Sequence, residues 1–336
     1  MTATISVLDR SRSQVVPALQ AAVQRLDPTS RLHASYHLGW CDADGKPAHA
    51  GGGKAVRPAL ALLSAEAVGA SAEVGLPGAV AVELVHNFSL IHDDLLDGDV
   101  ERRHRRTVWA IWGEATAVLT GDAMLALAHE VLLEADSPSV ARAAWLLAST
   151  TRDLTRGQVQ DLAFEARSDV TLEECIDMAG GKTGSLLAAS AAIGAVLAGA
   201  SSETVAALST FGAQFGLAFQ LVDDVLGIWG DPAVTGKPIH SDLRSRKKSL
   251  PVTYAVADPE RGQQLRDWLA APGNPDDESV RRIADVLAAA GGRDWALAEA
   301  AHRMSLAEQA LSTVELQPRA CEEMIALAQF IVDRDS

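Results

Sequence analysis

Three aspartates, Asp93, Asp94 and Asp97, appear before an apolar helix has ended. Val80, Val82, Leu84, Val85, Phe88 and Ile91 form the packed side of that helix. Asp93 and Asp97 are four residues apart, so on a helix both carboxylates point the same way, with Cβ atoms ~5–6 Å apart. Two bare carboxylates at that spacing repel, and one is driven toward protonation unless a cation intervenes. Oxygen-only ligands, and few of them, point to a hard ion that completes its shell with phosphate: Mg²⁺. A merely solvated acidic helix end is the competing reading, but carboxylates there oppose the helix dipole. A second acidic pair, Asp223-Asp224, interrupts another apolar helical run, Phe211 to Trp229. Facing each other across a helical bundle, the two sets would hold metal ions around a diphosphate.

Cations lie beside these acids in short islands. Gly51-Gly52-Gly53-Lys54-Ala55-Val56-Arg57-Pro58 sets Lys54 and Arg57 just before a helix, where glycines and the helix start suit an anion. Arg102 to Arg106 surround His104, and Arg244 to Lys248 form a second cluster. His86 is seven residues before Asp93, on the same helix face two turns away. Gly180-Gly181-Lys182-Thr183-Gly184-Ser185 has a partial likeness to a P-loop, but lacks its full spacing and any preceding strand.

The elements that must position these groups are helices. The chain has 336 residues, of which 48% are hydrophobic and only 4% aromatic. Alanine and leucine dominate and β-branched alternation is scarce, which favours helix. The pattern predicts helices at about 13–27, from Pro58, then 76–98, 107–134, 138–167, 171–199, 201–229, 252–271, 277–290, 293–315 and 318–333. Residues 28–53 and 230–251 read as connections, and no strand is expected. The expected fold class is all-α: one domain over residues 1–336, a large helical bundle around a central cavity. A net charge of −15 argues against a nucleic-acid partner, which needs a broad basic face. Cys41, Cys175 and Cys321 have no metal or redox spacing, which suits reduced thiols in a cytoplasmic protein. The early Asp9, Arg10 and Arg12 do not fit a signal peptide. The most apolar run, Leu186 to Ala200, is shorter than the ~20 residues of a membrane span.

Taken in order over residues 51–251, these motifs resemble the trans-prenyl diphosphate synthases, or polyprenyl synthetases, of short-chain type. Asp93-Asp94-Leu95-Leu96-Asp97 with Arg102-Arg103 is similar to the family's first aspartate-rich motif, and Asp223-Asp224 to its second. Two positions depart: Gly227 stands where a third aspartate is usual, and Ala55 where an additional arginine is common. The resemblance implies metal ligation by Asp93, Asp97 and Asp223, with three Mg²⁺ ions bound along with an allylic diphosphate. It implies that Arg102, Lys182, Thr183, Gln220, Lys237 and Lys247 serve that diphosphate, with the helix locally broken at Lys182. Lys54, Arg57, His86 and Arg103 are implied to hold isopentenyl diphosphate. Gln158 and Asp161 match the family's middle helix, behind the ligands or on metal-bound water, and Lys237 and Asp242 to Lys248 match its loop over the allylic diphosphate.

The implied reaction is condensation of an allylic diphosphate with isopentenyl diphosphate by metal-triggered ionisation, in a homodimer. Mg²⁺ stabilises charge growing on the leaving diphosphate, and no side-chain nucleophile is needed. Phe88, five residues before Asp93, resembles the chain-length floor of short-product enzymes and implies a C15–C20 product, farnesyl or geranylgeranyl diphosphate. Two alternatives stand beside this. A class I terpene cyclase shares the fold but needs no second diphosphate site. A non-catalytic partner subunit of an active synthase is suggested only by Ala55 and Gly227.

Overall fold

Apolar residues at helical spacing, with scarce β-branched alternation, make the chain almost wholly helical. The structure, a computed structural model, describes residues 2–48, 53, 55–231 and 239–333. Its helices are α1 (Thr2–Val23), α2 (Pro28–His37), α3 (Val56–Ala67), α4 (Ala72–Leu96), α5 (Val108–Trp112), α6 (Glu114–Leu133), α7 (Val140–Glu165) and α8 (Leu172–Ala179). They continue with α9 (Ser185–Leu197), α10 (Ser202–Trp229), α11 (Ser241–Arg244), α12 (Leu250–Ala255), α13 (Gly262–Ala270), α14 (Asp277–Ala289), α15 (Gly292–Leu311) and α16 (Pro318–Val332). The fold class is all-α, as the pattern predicts.

Several elements differ from the sequence expectation, each for a local reason. The stretch expected as a connection contains α2. Asp27 accepts hydrogen bonds from the Thr29 and Ser30 amides, and Pro28 occupies the first turn, where its missing N–H costs nothing. α1 extends back to Thr2, and the helix expected at 107–134 is divided by Gly113, whose φ is 90°. The span 252–271 is likewise two helices, α12 and α13. A hairpin appears where no strand was expected: β1 (Glu101–Arg102) pairs antiparallel with β2 (Arg105–Arg106). Its two turn residues, Arg103 and His104, both have positive φ, 52° and 60°, the signature of a tight type I′ turn. The break expected at Lys182 is instead one widened turn: Gly180–Gly184 forms a π-helix that carries α8 into α9.

The chain gathers into two compact units. The first comprises Met1–Thr151, Ala189–Ser209 and Val314–Leu327. Within it α4 packs chiefly on α3 and α6. Small residues let backbones meet: a Cβ on Gly75 of α4 or Gly194 of α9 would strike the Ala61 carbonyl of α3. The second unit comprises Arg152–Ala188, Thr210–Thr313 and Ala328–Ser336. One of its cores joins Ile228, Leu243, Val252, Leu265, Val280, Ile283 and Leu287. Three helices, α4, α6 and α10, have the length and apolarity to cross a membrane by composition alone, unlike the shorter 186–200 run. In α4, 67% of the most apolar 18-residue stretch is buried within the protein.

Candidate active site

In the first unit, α4 delivers the first acidic set. Asp93 is half-buried, Asp97 is exposed at the helix C-cap, and Asp94 is almost wholly buried. Asp94 lies three residues after the buried Ile91 and so falls on the packed stripe. Its Oδ1 accepts a hydrogen bond from Arg102 Nε at 2.6 Å, while its buried Oδ2 meets no donor among the described residues. Burial raises the Asp94 carboxyl to about 6 against the opposing pull of Arg102.

The hairpin separates the two arginines. Arg102 on β1 turns back to Asp94, whereas Arg103 sits in the turn and reaches toward Gly53, whose missing Cβ leaves room for the guanidinium. A left-handed arginine is uncommon outside functional or tightly held sites. Arg105 anchors the hairpin. Its guanidinium donates to the carbonyls of Tyr36 and Cys41, both at 2.8 Å, and lies 4.0 Å over the Tyr36 ring. The Tyr36 hydroxyl donates to the Arg106 carbonyl at 2.8 Å. α2, read from sequence as loop, thus holds the arginine pair in place.

His86 and Arg57 come together, Nη1 standing 3.4 Å from Nε2. The guanidinium is the donor, so Nε2 accepts and the ring proton belongs on Nδ1. Burial first, then Arg57, Arg103, Arg102 and His37, hold the His86 imidazole far below its ordinary range. Burial first, then Arg102, Arg103 and Arg105, push His37 down to about 3. Burial lowers Arg57 to about 10, partly offset by Glu83. The result is a strongly cationic recess with neutral imidazoles, suited to a multiply charged anion. Lys54 lies outside the described residues. Phe88, buried on α4, meets His92 edge-on with centroids 5.0 Å apart, and His92 in turn covers Gly121 of α6.

In the second unit, α10 delivers the other acidic pair with the same division. Asp223 is exposed and Asp224 buried, three residues after Leu221 on the packed stripe. Asp224 Oδ1 accepts from Gln220 Nε2 at 2.8 Å and Oδ2 from the Leu250 amide at 2.9 Å. Gln220 Oε1 accepts from the Thr183 hydroxyl at 2.7 Å. Burial raises Asp224 to about 6, opposed by Lys247 and added to by Asp242. Burial works against the Lys247 charge, but Asp224, Asp242, Asp161 and Asp223 outweigh it and hold the ammonium firmly protonated.

Lys182 projects from the π turn and donates to Asp161 at 2.6 Å. The turn is set by glycines. A Cβ on Gly157 of α7 would overlap the Lys182 amide, and one on Gly216 of α10 would lie 2.7 Å from Gly184 Cα. A small cavity lined by Asp161, Lys182, Gln220, Asp224, Lys247 and Ser249 results. Gln158 is buried with both amide atoms unpartnered among the described residues. Lys237 lies outside the described residues. Asp93 and Asp97 belong to the first unit and Asp223 to the second.

The family model for polyprenyl synthetase matches residues 45–287. The chain belongs to the polyprenyl synthetase family. The chain is 50% identical over 337 residues to the (2E,6E)-farnesyl diphosphate synthase of Mycobacterium tuberculosis strain H37Rv, covering 99% of this chain and 94% of that protein. It is 40% identical over 332 residues to the geranylgeranyl diphosphate synthase of the same strain, covering 98% and 94%. The crystal structure of polyprenyl synthetase from Streptomyces coelicolor A3(2) superposes with a TM-score of 0.93 at 50% identity, covering 98% of this chain and 99% of that one. This polyprenyl synthetase is an enzyme, a short-chain prenyltransferase. Near-full-length similarity to named farnesyl and geranylgeranyl diphosphate synthases does not favour the cyclase or the non-catalytic subunit.

The burial of Asp94 and Asp224 escaped the sequence reading, which left both without a role of their own. The signal was present: each lies at i+3 from a core residue. Among the described residues no three His, Cys, Asp or Glu side chains stand close enough to hold a metal ion unaided. The donors within each unit are few and all oxygen, so an ion held there must take water and phosphate oxygens as its remaining ligands. That donor set fits Mg²⁺.

Proposed function

We propose that this chain condenses isopentenyl diphosphate with an allylic diphosphate to give a C15–C20 diphosphate, farnesyl or geranylgeranyl, in the cytoplasm. The observation that carries the reading is the division of each aspartate pair. In both, the first carboxylate is presented outward while the second is buried and tied to groups of its own unit. Outward Asp93, Asp97 and Asp223 are the residues that would hold Mg²⁺, up to three ions, together with the allylic diphosphate. Mg²⁺ bound there supplies Lewis-acid stabilisation of the leaving diphosphate.

The protein's own groups do the rest. Arg102, fixed by Asp94, and Lys182, fixed by Asp161 and the π turn, lie ready for diphosphate oxygens, with Thr183, Gln220, Lys237 and Lys247. Arg57, His86, Arg103 and Lys54 hold isopentenyl diphosphate, its double bond toward the allylic carbon. His86, kept neutral, donates a hydrogen bond to the diphosphate through its ring N–H and takes no proton. The proton lost on closing the new double bond passes to the departed diphosphate. Phe88 limits chain growth.

A homodimer is part of this reading. α6 is rich in apolar residues, and its Leu119 and Leu133 are 65% and 56% exposed, while Trp145 of α7 is 72% exposed. Large apolar side chains gathered on an exposed face mark an interaction surface, so a second copy covers that face.

Incubation with isotopically labelled isopentenyl diphosphate and C5, C10 or C15 primers, read by product length, tests the reading directly. Incorporation requires both substrates, and the product ends at C15 or C20. Asp93→Ala and Asp223→Ala are each expected to lower turnover on the order of a hundredfold or more. Normal turnover in both variants would overturn the assignment.

A further inference from the structure

The second acidic set is one carboxylate short on its own helix. In the first set Asp93 is followed by Asp97 at i+4, on the same face. In the second, the residue at i+4 from Asp223 is Gly227. The space that a side chain at 227 would enter is already filled. A Cβ built on Gly227 would overlap the carboxylate of Asp242, standing 2.5 Å from its Cγ and 2.8 Å from its Oδ1.

That carboxylate is held there by the end of α10. The last four carbonyls of a helix have no intrahelical donor. The Leu226 carbonyl is met by the Gly230 amide at 2.9 Å. The Gly227 carbonyl accepts from the Ser241 hydroxyl at 3.3 Å, and the Ile228 carbonyl bonds to His240 Nδ1. His240 has a φ of 61°, so the chain turns sharply into α11 as it docks. Ser241 Oγ also lies 3.2 Å from Asp242 Oδ1, and the Lys247 amide donates to the Asp242 carbonyl at 2.9 Å. Residues 240–242 therefore cap α10 and, in the same contact, lay a carboxylate over the bare face of Gly227. Around it, Asp161, Asp223, Asp224 and Asp242 act on Lys247, while Lys182 is paired with Asp161.

We infer that Asp242 supplies the third carboxylate of the second acidic set, delivered from α11 into the place that Gly227 leaves open one turn beyond Asp223. This rests on the reading of Asp223 as a metal-holding residue. It assigns to Gly227 the role of leaving room for a carboxylate that arrives from elsewhere in the chain.

The test is binding of Mn²⁺, read by electron paramagnetic resonance, to the full chain in the presence of inorganic pyrophosphate, with thermal melts on every variant. Asp223→Asn controls for the underlying reading. Asp242→Asn is expected to raise the Mn²⁺ concentration for half-saturation on the order of tenfold. The exchange Gly227→Asp with Asp242→Ala moves the carboxylate from α11 to α10 and is expected to recover most of that loss. Should Asp242→Asn not fold, Asp242→Ser carries the same expectation. Loss in Asp223→Asn with wild-type binding in Asp242→Asn overturns the inference and leaves the proposed function standing. Loss in folded Asp242→Asn without recovery in the exchange also overturns it, leaving Asp242 as the partner of Lys247. Wild-type binding in Asp223→Asn overturns both.

Discussion

Asp94 and Asp224 are each the second member of an aspartate pair, each buried, and each raised to about 6 by that burial. Such a group binds its proton more tightly in the folded than in the unfolded chain, where its ordinary value is 3.8. Its contribution to stability is therefore full at low pH and falls as pH rises from about 4 through about 6. Asp94→Asn, which cannot ionise, removes that dependence. In metal-free protein the Tm of Asp94→Asn relative to wild type should improve as pH is raised from about 4.5 to about 7. His37 and His86 act in the opposite sense, because their depressed values cost stability as pH falls below 6.5, so the difference between variant and wild type is the quantity to read. A difference that stays flat with pH would mean that Asp94 is not held near 6. At this scale type and spacing nominate Asp93 and Asp97 as candidates, and the family resemblance adds roles for Asp223, Arg57 and His86. The sequence was not legible where direction matters, because the buried oxygen of Asp94 and the tie from Arg105 to Tyr36 depend on which side of an element faces inward.

Elements place these groups through backbone contact more than through side chains. Gly157 on α7 lies against the amide of Lys182, and Gly216 on α10 against Gly184, so the π turn is pressed from both sides. Gly157→Ala is expected to lower stability by about 1–3 kcal/mol through overpacking, measured by chemical denaturation. It should also weaken binding of the allylic diphosphate by displacing Lys182. Ordinary stability in that variant would contradict the contact. On α4, Phe88→Ala opens the space beside His92 and should lengthen the product, at a cost of about 3–5 kcal/mol for a buried aromatic. An unchanged product distribution would place the limit elsewhere. The long helices were legible because their apolar period persists over many turns. α2 was hidden because a proline reads as a breaker unless, as Pro28 does after Asp27, it stands in the first turn of a helix. The hairpin was hidden because its turn uses Arg103 and His104 at positive φ, where glycine or asparagine is the usual signal. The glycines of the Lys182 segment announced an irregularity, but a widened turn and a broken one have the same composition.

For the molecule as a whole, a net charge of −15 and an all-helical fold were fixed by composition, and the order of motifs carried the family. What composition leaves open is which apolar surface stays uncovered in a single chain. Leu119 and Leu133 on α6 and Trp145 on α7 answer that for the first unit. Leu119→Glu should turn a dimer into a monomer in sedimentation velocity, while a wild-type sedimentation coefficient would remove this face from the assembly. Those exposed side chains have a thermal corollary. In the proposed homodimer, a surface covered by a second copy ties each chain's resistance to heat to how many neighbours it can find, by mass action. The melting temperature of the wild-type enzyme should climb with its own concentration and lose that climb in Leu119→Glu, so a stock diluted for assay is a less robust protein than the stock it came from.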